Sequence, residues 1–128
     1  MIIALTNNEI YNYANALAGE FAQDQVKFPI KVNFYLQKNM QELVTLAQEI
    51  EKQRISIAEE FGTLNEETQQ YEIPQENITA ASNKLDELFK LTQDVKVYKV
   101  KLDAFNDMDL TSAQMQALLF MIDEEEEE

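Results

Sequence analysis

IKVNFYLQKNMQELVTLAQEIEKQRISIAEEF, residues 30–61, runs from Pro29 to Gly62 without an internal proline or glycine. Leu36, Met40, Leu43, Ala47, Ile50, Ile57 and Phe61 recur in it at alternating steps of four and three, and only Arg54 interrupts the series. That alternation keeps side chains on one face of an α-helix and forms the seam of a helical hairpin or coiled coil. The spacing predicts one helix over 30–61, about 45–50 Å long at 1.5 Å per residue. Pro29 suits the first helical position, where a missing amide costs nothing. Gly62 is expected to stop the helix in a left-handed conformation. The lost apolar member marks Lys52–Arg54 as the place for a bend.

Working outward, Ile78, Ala81, Leu85, Leu88 and Thr92 repeat the same spacing after Pro74. They predict a helix over 75–92 that folds back antiparallel on the long one, because a short connection enforces that arrangement. Between the two, Gln70–Ile73 alternates like a short strand, whereas residues 63–70 read as a polar connection. Val95–Leu102 is the clearest strand pattern, β-branched and aromatic residues interleaved with lysines. Its alternation slips between Val97 and Tyr98, where a bulge is expected. At the N-terminus, Met1–Leu5 suits a short buried strand, and Thr6-Asn7-Asn8-Glu9 is a capping box. The helix it opens, over 7–22, carries Ile10, Ala14, Leu17, Ala18 and Phe21 on one face. Thr111-Ser112-Ala113-Gln114 is a second capping box, opening a helix over 112–122 with Met115, Leu118, Leu119 and Ile122 on one side. The expected fold is mainly α (α+β in detail): a long antiparallel helical hairpin, N- and C-terminal helices, and a small two- or three-stranded β element. All 128 residues form one domain, with 123–128 a frayed acidic tail.

Composition narrows the function. Cysteine and histidine are absent, which removes thiolate sites, the commonest general base and the commonest transition-metal ligand. Ser56, Ser82 and Ser112 therefore have no histidine to activate them. With two glycines in all, a glycine-rich phosphate loop is excluded. No catalytic set, cofactor site or metal site is expected. Asp103, Asp107 and Asp109 form the one acidic loop cluster, but they lack the alternation and turn glycine of a calcium-binding loop. The apolar N-terminus is too short for a signal peptide, and nothing approaches a membrane span. A cytoplasmic protein is expected.

Net charge is −14. Such a surface repels phosphate backbones, so direct nucleic-acid binding is not expected and basic protein partners are favoured. Lys84, Lys90, Lys96, Lys99 and Lys101 interleave with Tyr98, but they sit in the more acidic half of the chain. Asp103, Asp107, Asp109, Asp123, Glu124 and Glu125 make up the candidate acidic binding surface. The seam from Leu36 to Phe61 is the candidate interaction seam, completing the chain's own hairpin or pairing with a second copy.

Leu5-Thr6-Asn7-Asn8-Glu9-Ile10, Phe28-Pro29-Ile30-Lys31 and Leu110–Leu118 with its acidic tail resemble a family of small proteins encoded by bacteriophages and prophages, a domain of unknown function. The resemblance implies a phage or prophage origin and transfers no catalytic residue. The expected function is a non-enzymatic protein-binding module inside the bacterial host. The alternatives are an acidic, DNA-mimicking inhibitor of a host defence nuclease or DNA-binding protein, and a structural or assembly-chaperone component of the virion.

Overall fold

The uninterrupted stretch is a single helix in the computed structural model, which describes residues 1–21, 27–106 and 108–123. The elements run β1 (Ile2–Thr6), α1 (Asn7–Phe21), α2 (Ile30–Phe61), β2 (Thr63–Asn65), β3 (Gln70–Glu72), α3 (Gln75–Lys90), β4 (Thr92–Lys96), β5 (Val100–Lys101), α4 (Ser112–Leu118) and β6 (Ile122–Asp123). Single 3-10 turns, Leu102–Phe105 and Leu119–Met121, flank α4. The molecule is mainly α, with three two-stranded sheets among the described residues. None of the described helices is long and apolar enough to cross a membrane.

α2 is the spine. Val32, Leu36, Leu43 and Ile50 are buried along its inner face, each worth about 1.5–3 kcal/mol when removed from water. Ile10, Ala14 and Leu17 of α1, Val95 of β4 and Leu118 of α4 close over them in one cluster. α3 lies antiparallel to α2: Asn77 at its start donates to the Phe61 carbonyl at 3.0 Å, and Lys84, about two turns later, reaches back to Glu60 at 2.8 Å. The long helix is thus shared between α1 and α3 rather than belonging to one hairpin.

Both capping boxes form. The Glu9 amide donates to Thr6 Oγ1 and the Thr6 amide to Glu9 Oε1, each at 3.0 Å. Thr111 and Gln114 repeat the exchange at 3.0 and 3.1 Å. These reciprocal bonds satisfy amides that the first turn leaves unpaired.

Several local expectations are corrected. Pro29 is the residue before α2 rather than its first, with ψ 151°, so the helix begins at Ile30. Gly62 is extended (φ −137°, ψ −179°), not left-handed. Its need for glycine is proximity: an added Cβ would lie 2.7 Å from the Glu72 carbonyl oxygen and 3.1 Å from that of Ala58. The stretch after it is not a plain polar connection, because Thr63–Asn65 pairs antiparallel with Gln70–Glu72. The intervening turn places Gln69 at φ 59°, where its amide donates to the Asn65 carbonyl at 2.8 Å. α3 ends at Lys90, and Thr92 belongs to β4 instead of the helix stripe. α2 continues unbroken through Lys52–Arg54.

The strand expected over 95–102 splits in two. β4 pairs antiparallel with β1 from Ile2↔Lys96 to Thr6↔Thr92, and Val97 extends the ladder by donating to the Met1 carbonyl at 2.8 Å. The chain then leaves β1, and β5 pairs in parallel with β6 (Val100↔Ile122, Lys101↔Asp123). The slip in alternation at Val97–Tyr98 marks that change of partner. The last helix is shorter than its stripe suggests, since Leu119–Met121 tightens to a 3-10 turn and Ile122 is a strand residue. Asp123, expected in the frayed tail, is held in β6; Glu124–Glu128 lie outside the described residues.

At the break, Tyr98 would lose its backbone partners. Asn39, 1 % exposed on the inner face of α2, supplies both: its Nδ2 donates to the Tyr98 carbonyl and its Oδ1 accepts from the Tyr98 amide, each at 2.8 Å. Asn7 does the same for the corner between α3 and β4. Its amide donates to the Leu91 carbonyl at 2.8 Å, its Nδ2 donates to the Leu88 carbonyl at 2.8 Å, and its Oδ1 accepts from Gln93 at 2.7 Å.

Replacing Asn39 with alanine strands both Tyr98 backbone groups and should cost about 2–4 kcal/mol, since each unsatisfied buried group costs about 1–3 kcal/mol. Urea unfolding measures the loss, and hydrogen exchange should show the Tyr98 amide losing protection. Gly62→Ala must push the hairpin off the end of α2 and should cost about 1–3 kcal/mol in the same assay.

Candidate interaction surfaces

A helix that buries one face must present the other to solvent. On α2 the inner face uses Leu36, Leu43 and Ile50, with Met40 and Ala47 packed half-buried against the core. Ile57 and Phe61 are half-buried near α3, where Lys84 Nζ stands 5.5 Å over the Phe61 ring. Of the two roles expected for the seam, the structure has it complete the chain's own fold. The outer face exposes Ile30 (90 %), Phe34 (55 %), Val44 and Ile55, at steps that keep them on one side of the helix.

The basic residues are not where the sequence grouping put them. Lys84 pairs with Glu60 at the far end of α2, away from Lys96, Lys99 and Lys101. Those three are joined instead by Lys31 and Lys38, because the Asn39–Tyr98 bonds lay the 96–101 segment along the first half of α2. Three lysines stand over three rings there: Lys31 over Tyr35 at 5.7 Å, Lys38 over Phe34 at 5.4 Å and Lys96 over Tyr98 at 5.3 Å. Tyr35 in turn packs on Tyr98 with centroids 5.5 Å apart, and Phe34 on Tyr35 at 6.1 Å. An ammonium held over a ring face is attracted by its quadrupole by about 0.5–1 kcal/mol at an exposed site. The result is a continuous cation–aromatic face. Its signal in the sequence is the absence of any acidic residue from 25 to 41 and from 95 to 102.

Asp103 and Asp123, from the expected acidic surface, lie among lysines. They line a groove of about 430 Å³ with Lys31, Lys99 and Lys101. Asp109 is exposed, and Asp107, Glu124 and Glu125 lie outside the described residues. Among the described residues no three carboxylates gather in an arrangement that could hold a metal ion. The strongest concentration of negative charge is elsewhere. Glu59, Glu60, Glu66, Glu67, Glu72 and Glu76 lie between Arg54 and Lys84 with no basic residue among them. The end of α2, the β2–β3 hairpin and the start of α3 carry them to one end of the molecule.

Inside α2, Glu51 links two elements. Tyr11 of α1 donates to its Oε2 at 2.9 Å, and Arg54 donates through Nε at 2.9 Å and through Nη2. Arg54, and secondarily Tyr11, hold the Glu51 carboxyl below the ordinary carboxylate range against the opposing effect of burial. The bond to Glu51 pushes the Tyr11 phenol up.

No family model, curated protein or solved structure matches this chain.

The lowered carboxyl contributes stability that is complete above the ordinary carboxylate value of about 4.3 and is lost as pH falls through the depressed folded value. The raised phenol contributes below about pH 10 and loses its share as pH rises. Tyr11→Phe should therefore cost about 0.5–1 kcal/mol near neutrality, with the difference from wild type shrinking at both extremes. Urea midpoints measured across the pH range check this.

Proposed function

We propose that this chain is a non-enzymatic protein-binding module of phage or prophage origin, acting in the cytoplasm of the bacterial host. The observation that carries the reading is the outer face of α2. Ile30 and Phe34 stay exposed although the same helix has Leu36 and Leu43 available for, and fully used by, the core. Large apolar side chains grouped outside a satisfied core are the mark of a docking surface. Flanking Lys31 and Lys38 give that surface a sign opposite to the net charge of −14. The phage origin is supported by the resemblance at Leu5–Ile10, Phe28–Lys31 and Leu110–Leu118. Two of those segments contain the capping boxes that start α1 and α4.

A second reading draws support from the six glutamates collected at the hairpin end. An acidic patch on one side of a protein can occupy the basic groove of a DNA-binding partner, and such binding weakens with salt.

Tagged protein drawn through an extract of its bacterial host separates the two. Under the leading reading, Phe34→Asp loses a stoichiometric partner while its melting temperature stays within a few degrees of wild type. Under the second, Phe34→Asp keeps a basic partner that Glu66→Lys with Glu67→Lys loses. Capture unchanged by either substitution would sink both.

A further inference from the structure

The two charged ends differ in more than sign. At one, Lys31, Lys38 and Lys96 are held over rings, and none of them has a carboxylate partner among the described residues. Exposed Ile30 and Phe34 lie beside them. At the other, Glu59 is occupied by Tyr71, Glu72 by Asn65 and Glu60 by Lys84. Glu66, Glu67 and Glu76 make no side-chain hydrogen bond or ion pair with the described residues, and Leu64 (41 %) and Ile78 (48 %) are exposed near them in the hairpin and α3. Each end thus combines a set of unpaired side chains of one sign with two exposed aliphatic or aromatic side chains, and at the basic end Asp103 and Asp123 line the groove beside Lys31. The chemistries of the two ends complement each other.

Distance decides whether the overall charge prevents them from meeting. α2 separates the ends by about 45 Å at 1.5 Å per residue. Charges in solution are screened over about 8 Å at physiological ionic strength. An approaching copy therefore senses the patch in front of it, and the net −14 is felt only weakly. The like charges of the whole molecule oppose association at low salt, whereas the local pairs weaken at high salt.

We infer that the cation–aromatic face of one copy (Ile30, Lys31, Phe34, Lys38 and Lys96) receives the acidic hairpin end of a second copy (Leu64, Glu66, Glu67 and Ile78). The inference rests on the reading of the chain as an interaction module and names a second copy as its partner. Because the two surfaces are different and lie at opposite ends of α2, the contact is head-to-tail. A single contact of this kind leaves one face and one end of the pair unused, and the rotation between copies decides whether further copies extend a chain or the contacts close into a ring. Subunits that add in this way suit the assembly of a repetitive structure.

Sedimentation velocity of the full chain tests this, from about 10 to about 500 μM protein at about 0.15 M and about 0.5 M salt. Wild type should associate with rising concentration at the lower salt and fall back towards monomer at the higher. Lys31→Glu with Lys38→Glu should weaken association about tenfold or more, and so should Glu66→Lys with Glu67→Lys. Mixing the two variants should restore it, because both mixed contacts again join opposite charges. Equivalent reversal at exposed Asp86 and Glu87, away from both surfaces, should change little. Circular dichroism confirms that each variant is folded. A wild-type chain that stays monomeric throughout overturns the inference, as does association that the reversals leave intact or that mixing fails to restore. A monomeric chain that instead binds a single-stranded thymidine oligomer through Lys31 and Lys38 would replace the second copy with a nucleic-acid strand. A monomeric chain that captures another protein through Phe34 would overturn self-docking while leaving the module reading standing.

Discussion

Asn39 can sit among leucines and valines only because Tyr98 offers it both a donor and an acceptor. A buried side-chain amide costs several kcal/mol if unpaired and little if its hydrogen bonds are made. The pairing runs the other way too. The backbone must leave β1 after Val97 to join β6, and a strand changing partners has a residue with no ladder to enter. Asn39 substitutes for the missing strand. One residue of α2 thereby fixes the position of the 96–101 segment, the register of the β5–β6 pair beyond it, and the place where Tyr98, with Lys96 over its ring, meets Tyr35. The core and the surface face share this one constraint.

Asn7 and Asn77 apply the same solution at other joints. Each lies in the first turn of its helix and ties backbone at the far end of a neighbouring helix, where carbonyls lack intrahelical donors. Asn7 reaches the end of α3, and Asn77 the end of α2. The ordinary reading of asparagine in such places is a local cap or turn former. These two bonds span 81 and 16 positions in the sequence, and local pattern carries no information about partners that distant.

This separates what was legible from what was not. Helix periodicity, the proline and glycine boundaries and the capping boxes act over a few residues, and they locate α1, α2 and α3 closely and the start of α4. β2 was hidden because Thr63-Leu64-Asn65 is too short to establish a strand period within a polar run; its pairing comes from the turn at Glu66–Gln69. Gly62 was placed correctly as the end of α2 but for the wrong cause, because the approach of Glu72 is a tertiary fact. The inner seam stood out since every member is apolar. Asn39, which belongs to the same stripe, did not, although a polar residue at a seam position is a known device for fixing register. The cation–aromatic face was missed for a related reason. Its lysines come from two segments some sixty residues apart, and only the Asn39–Tyr98 bonds bring them together.

A formal charge of −14 suggests a uniformly acidic object, yet six of the ten basic residues come from two short segments that fold side by side. Length makes that unevenness matter. In a compact bundle of short helices, opposite patches would lie within one or two screening lengths and blur into each other. Here a helix several screening lengths long keeps them apart, so each end retains its own sign in solution. The seam that builds the core thus also sets the electrostatics. By committing its leucines to an uninterrupted rod, the chain stabilises α1 and α3 against it and holds a positive and a negative surface at a fixed separation.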